Sequence, residues 1–173
     1  MKKNWFKYTF TFIMVLALRL IPFRTPNVEP IMAAQMPFGK VYGKLSAFLF
    51  GALSIVVYDS LTSGIGMWTV ITALAYGLVG LGAGVYFKNR GGWKSYATYA
   101  VIATILYDAA TGLTLGPLFF GQSLSGALIG QIPFTALHLL GNVSFAIILS
   151  PVIETWSAKK REVAVQVLNP VVL

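Results

Sequence analysis

Apart from Arg19 and Arg24, every Lys and Arg of this chain falls in one of four short clusters, at residues 2–7, 40–44, 88–94 and 159–161, with long apolar stretches between them. Lys and Arg in short connections are retained on the cytoplasmic face of a membrane, so the pattern constrains topology before any fold is considered. Composition agrees: 57% apolar residues, 10% charged residues and a mean hydropathy of +0.75 lie far from the roughly 25% charged composition of soluble domains. The chain reads as an integral membrane protein.

Its 173 residues hold about six spans of roughly 20 residues with short connections. The expected fold is all-α, a compact bundle of six transmembrane helices. Spans are expected at about 8–22, 28–39, 45–61, 67–87, 96–111 and 133–153, forming one membrane domain over residues 1–158, with 159–173 as a cytoplasmic C-terminal tail. An even number of spans returns every basic cluster to the same side, which puts both termini in the cytoplasm. The segment 113–132 is long, Gly-rich and apolar, and is expected either to dip back as a loop or to start the sixth helix early. The basic N-terminus before an apolar run imitates a signal peptide, but Ile21-Pro22-Phe23-Arg24 lacks a small-residue cleavage site, so this stretch is read as a retained first span.

Several function classes drop out. The net charge of +8 sits in loops beside apolar spans, where it sets topology and meets lipid headgroups rather than nucleic acid. Without cysteine there are no disulfides, thiolate chemistry or Cys-ligated metals. A lone histidine makes a poor metal site, and no hydrolase, P-loop or dinucleotide motif is present. The chain is therefore not expected to be an enzyme or to need a cofactor, and any ATP-driven step would need other subunits.

Ionisable groups inside a membrane are costly and usually face a cavity, a partner charge or water. Under this topology Arg19, Arg24, Glu29, Asp59 and Asp108 gather at the end opposite the basic clusters. Gln131, Thr135, His138 and Asn142 are spaced by four, three and four residues, which puts them on one face of the sixth helix. Such a stripe suits a helix lining a solute pocket, although interhelical hydrogen bonding gives the same pattern. Tyr58, Trp68 and Tyr107, with Phe119 and Phe120, add aromatic surface at that level, as interfacial anchors or as pocket walls. The fourth span carries the small-xxx-small pairs Ala73/Gly77 and Gly80/Gly84, which pack within the bundle or dock a partner.

Three stretches carry a family resemblance. They are Arg19-Leu20-Ile21-Pro22-Phe23-Arg24-Thr25-Pro26-Asn27-Val28-Glu29-Pro30, Gly51-Ala52-Leu53-Ser54 followed by Tyr58-Asp59, and Gly66-Met67-Trp68-Thr69 followed by Tyr76-Gly77-Leu78-Val79-Gly80. Together they resemble the substrate-binding S component of energy-coupling factor (ECF) vitamin transporters. Ile132-Pro133-Phe134-Thr135, His138-Leu139-Leu140-Gly141-Asn142 is similar to the last helix of that family. The resemblance implies a multi-pass protein of a prokaryotic cell membrane. It would capture a vitamin or cofactor precursor from outside and dock on a transmembrane T subunit driven by two ATPase subunits. Connections 23–30 and 113–132 correspond to loops over the family's pocket. The Ala-xxx-Ala pattern that the family often uses for docking in its first helix is absent here. The expected ligand-lining residues are Asn27, Glu29, Asp59, Trp68, Asp108, Gln131, His138 and Asn142, with Trp68 as a stacking wall. The competing reading is a membrane scaffold whose Gly-rich fourth span docks a partner.

Overall fold

A computed structural model describes the backbone of residues 2–23, 25 and 27–168 and the side chains of 5–23, 25 and 27–158. Arg24, named above among the charges opposite the basic clusters, lies outside the described residues, as do the side chains of Lys2, Lys3 and the cluster 159–161. Six helices follow in order among the described residues: α1 (Lys2–Arg19), α2 (Ile31–Tyr42), α3 (Lys44–Leu61), α4 (Met67–Tyr86), α5 (Gly92–Phe120) and α6 (Leu124–Leu168). There is no strand among them.

Lys44–Leu61, Met67–Tyr86, Gly92–Phe120 and the Leu124–Ala158 part of α6 are long and apolar enough to cross a membrane. The expectation of six spans is thus met by four helices of spanning length and apolarity. The other two fall short for different reasons. α1 carries lysines in its first turns and Arg19 in its last, and α2 has twelve residues, about 18 Å of rise against a hydrocarbon core of about 30 Å.

α2 sits at the centre. Every residue from Ile31 to Gly39 is buried, with the α3–α4 pair on one side and the α5–α6 pair on the other. Ile31, Ala34 and Phe38 join a cluster with Phe50, Ala73 and Tyr76. Met32 and Met36 join a second with Ala83, Tyr99, Ala103 and Ala146. The outer surface is apolar as well: Leu49 and Leu53, Leu74 and Leu78, and Ile102 and Leu106 are exposed in pairs four residues apart, the spacing of one helix face.

Pro37 stands inside α2 and can donate no hydrogen bond to the Ala33 carbonyl one turn earlier. Ser150 of α6 supplies the missing donor, with Oγ 2.7 Å from that carbonyl. Gln35 ties α2 to both neighbours: its Nε2 donates to the carbonyls of Ala47 in α3, at 2.9 Å, and Tyr76 in α4, at 2.6 Å. The amide fits because positions 51 and 80 are glycine, where a Cβ would overlap it.

The small residues of α4 are used inside the bundle. A Cβ on Gly77 would strike the Phe48 ring, one on Gly80 the Ala47 backbone, and one on Gly84 the Lys44 backbone. Gly39 of α2 meets the Gly84 backbone at a position where a Cβ would stand 2.8 Å from its nitrogen. This corrects the docking-face reading of the fourth span, because the face is already occupied by α2 and α3.

Of the two readings of residues 113–132, the early start of the sixth helix holds: α6 begins at Leu124, and because α5 continues to Phe120 no long loop dips back. Gly121, at φ 63°, ends α5 in the left-handed region, and Ser123 Oγ accepts the Gly126 N–H at 3.1 Å, capping α6. Beyond residue 158 the chain continues as helix to Leu168, while 169–173 lie outside the described residues.

Replacing Ser150 with Ala leaves the Ala33 carbonyl without a donor and is expected to cost about 1–3 kcal/mol in detergent unfolding. Adding Pro37→Ala restores the backbone N–H, and the loss should shrink; an equal loss in both backgrounds would place the role of Ser150 elsewhere. Gly80→Ala is expected to cost about 1–3 kcal/mol through overpacking. Gly130→Ala, with nothing within 4 Å of the new methyl, should be neutral or mildly stabilising.

Candidate functional site

The described residues of three basic clusters meet at one end of the bundle. Lys7 donates to the Trp156 carbonyl and lies over its ring, Lys40 pairs with Glu154, and Gly91 stands beside both partners of that pair. Tyr96 donates to the same Glu154 at 2.7 Å. Away from this end, at the opposite ends of α1 and α3, a second polar cluster is built from five helices and the connection before α2.

Arg19 anchors it. From the last turn of α1, its Nε lies 2.7 Å from Glu29 Oε2, its Nη1 donates to the Ser54 carbonyl at 3.0 Å, and its guanidinium covers the Tyr58 ring at 3.9 Å. Glu29 Oε1 accepts the Tyr76 hydroxyl at 2.7 Å, and that oxygen is 3.3 Å from His138 Nε2. His138 Nδ1 faces Asp108 Oδ1 at 2.7 Å. Arg19, Glu29, Tyr76, His138 and Asp108 thus form one buried chain. Tyr107 closes its side, with ring centroids 4.5 Å from Tyr76 and 5.6 Å from His138.

α5 and α6 run antiparallel and carry matching polar positions. Asp108 faces His138, and one turn along both helices Thr104 accepts a hydrogen bond from Asn142 Nδ2 at 2.9 Å. On these adjacent rungs two buried acceptors, Asp108 Oδ2 and Asn142 Oδ1, have no hydrogen-bond partner among the described residues. Buried acceptors without donors are uncommon in folded proteins and point to a missing water or ligand.

The remaining expected residues are distributed around this core. Asp59 is buried, but its Oδ2 accepts the Thr69 hydroxyl at 2.6 Å and its carbonyl takes N–H groups of Thr62 and Gly64. It ties the α3–α4 connection rather than joining the chain from Arg19 to Asp108. Gln131 covers Gly112 and donates to Thr135 at 3.1 Å. Asn27 is half-buried at φ 64°, beside Val28, whose backbone presses on Gly141 of α6. Trp68 is 40% exposed with its ring folded over Gly66. No group of three metal-ligating side chains occurs among the described residues.

Tyr76 and Thr104 were missed as site residues. Thr104, Asp108 and Thr111 repeat in α5 the polar spacing noticed in α6, and that matching stripe was the available signal. Tyr76 carried a weaker one: it follows Thr69 by seven residues, two helical turns, on the same buried face of α4. A cavity of about 400 Å³ lies apart from the polar chain, between α4 and α5, and Tyr107 is the residue they share.

The sequence profile of one family, described as ECF-type riboflavin transporter, S component, matches residues 8–109. The matched region covers more than half of the chain, from α1 through Asp108. No curated protein and no solved structure gives a significant match.

Removing one partner of a buried ion pair leaves the other uncompensated. Arg19→Met is therefore expected to destabilise the protein by about 3–5 kcal/mol. Glu29→Gln in the same chain should return part of that loss, giving a double-mutant coupling of at least about 1 kcal/mol. Additive losses in a thermal or denaturant series would remove the pair from its anchoring role.

Proposed function

Because the chain belongs to the family of ECF-type riboflavin transporter S components, we propose that it captures a vitamin-like solute at the end of the bundle opposite the basic clusters. The basic end faces the cytoplasm with both termini, the polar end faces outward, and the protein resides in the cell membrane of a prokaryote. Import is completed by a transmembrane T subunit and two ATPase subunits, since this chain carries no nucleotide-binding motif. Its own role is binding rather than catalysis.

The pair of unpartnered acceptors beside the Arg19–Glu29–Tyr76–His138–Asp108 chain carries the proposal. Asp108 Oδ2 and Asn142 Oδ1 call for a ligand that brings N–H donors. Aromatic faces of Tyr76 and Tyr107 beside them suit a flat ring. Riboflavin, named in the description of the matched family, has both features: a flat fused ring and an imide N–H. Glu29 and His138 hold the walls in register, while Asn27, Asp59, Trp68 and Gln131 border the entrance. The scaffold alternative loses its support, since the Gly-rich face of α4 is filled by α2 and α3.

The test is a thermal-shift series on purified protein with riboflavin and a panel of other vitamins. A ligand that binds only the native state stabilises it by about 2.7 kcal/mol at a hundred times its Kd. Asp108→Asn keeps an acceptor for His138 but turns the free oxygen into a donor, and should weaken binding about tenfold or more. No shift across the panel, together with no small molecule co-purifying by mass spectrometry, would reject the capture role. Full affinity in Asp108→Asn would move the ligand away from α5.

A further inference from the structure

The cavity between α4 and α5 has no part in the capture site beyond its border at Tyr107. Its walls are apolar: Leu78, Val79 and Gly82 on α4 and Ile102, Ala103 and Leu106 on α5. Leu78, Ile102 and Leu106 are exposed at its rim, in helices long and apolar enough to cross a membrane. The groove is open because α4 packs chiefly on α3 and α5 on α6, leaving the two pairs splayed along this line.

Its basic end is chemically distinct. Tyr99 lines the groove and packs on Tyr86 with centroids 5.1 Å apart, and the Arg90 guanidinium covers the Tyr86 ring at 4.4 Å. Lys88 lies with Arg90 in the α4–α5 connection and Lys94 in the first turn of α5, and all three are exposed. None of the three has an ion-pair partner among the described residues, whereas Lys40 nearby is engaged by Glu154. A positively charged connection thus lies at the end of the apolar slot where Tyr99, tilted against Tyr86, donates to the Val79 carbonyl across the groove at 2.5 Å.

We infer that this groove is a binding site for one anionic phospholipid, its phosphate at Lys88, Arg90 and Lys94 and one acyl chain between α4 and α5. Charge complementarity selects the headgroup, as basic pockets at membrane helix ends do generally. The slot selects the tail, since the gap between the helix pairs needs apolar filling. The occupant is a lipid rather than a partner helix, because a slot of about 400 Å³ lined by Gly82 and Ala103 takes a slender chain, and the three cations beside its Tyr99 end have no ion-pair partner among the described residues.

The experiment places the full chain in nanodiscs of equal palmitoyl-oleoyl phosphatidylglycerol and phosphatidylcholine, then releases it for native mass spectrometry. One phosphatidylglycerol should remain bound per chain in preference to phosphatidylcholine. The double variant Arg90→Gln/Lys94→Gln should lower that preference by about fivefold per charge removed. Ala110→Phe, at an exposed position lining the groove, should reduce retention of the long-chain lipid. Retention of dihexanoyl phosphatidylglycerol should not change. Unchanged melting of each variant in detergent excludes misfolding as the cause. Equal retention of both lipids, an unchanged preference in the charge variant, unchanged long-chain retention in Ala110→Phe, or a second copy of the chain in place of lipid would each overturn the site.

Discussion

A twelve-residue helix cannot cross a bilayer by itself, and the position of α2 in the middle of the molecule is the constraint on which the rest of the structure depends. In a membrane every backbone polar group needs a partner within the protein, so a short helix is tolerated only when other helices enclose it and cover its ends. The chain meets this requirement in detail. Ser150 takes the carbonyl that Pro37 leaves free, and Gln35 reaches across to α3 and α4. Glycines at 51 and 80 leave room for that amide, and glycines at 39 and 84 let α2 and α4 backbones meet. The small residues of α4 follow from the central helix and need no outside partner.

The two ends of α2 are held by charge. Glu29 lies two residues before its first turn and pairs with Arg19 of α1; Lys40 lies in its last turn and pairs with Glu154 of α6. Each pair recruits a tyrosine, Tyr76 at one end and Tyr96 at the other. Among the described residues, the Arg19–Glu29 end continues into further polar groups, through His138 to Asp108. The other end is closed by the α4–α5 connection, where Gly91 packs on Lys40 and Glu154. The same device, an ion pair with a phenol, closes the bundle at one end and opens into a longer buried polar chain at the other.

Much of the fold was legible because hydropathy and charge placement act locally. The basic clusters marked the helix ends that meet, and the α3 and α4 limits were read to within a residue. Residues 113–132 left two readings open because Gly and Pro signal breaks in water, whereas membrane helices carry them when neighbours satisfy the backbone. The real break, Gly121-Gln122-Ser123, held ordinary capping residues that the surrounding glycines obscured. In the site, periodicity found the α6 face but not its α5 mate, and it could not show that Asp59 would turn to Thr69 while Asp108 turned to His138. Partner choice among buried polar groups is set by helix packing, which a single sequence does not display.

Proton bookkeeping in the polar chain has a consequence for what it can bind. The Tyr76 hydroxyl carries one proton and has two neighbours, Glu29 at 2.7 Å and His138 Nε2 at 3.3 Å, while Nδ1 faces the Asp108 carboxylate. All three contacts are hydrogen bonds only when one further proton is present, on Nε2 or on Glu29. The donation to Glu29 ties Tyr76 to the Arg19 pair, and the contact at Nε2 links that pair to Asp108. None of these contacts supplies a donor to Asp108 Oδ2 or Asn142 Oδ1, so both acceptors stay open to an N–H or O–H group from outside the described residues.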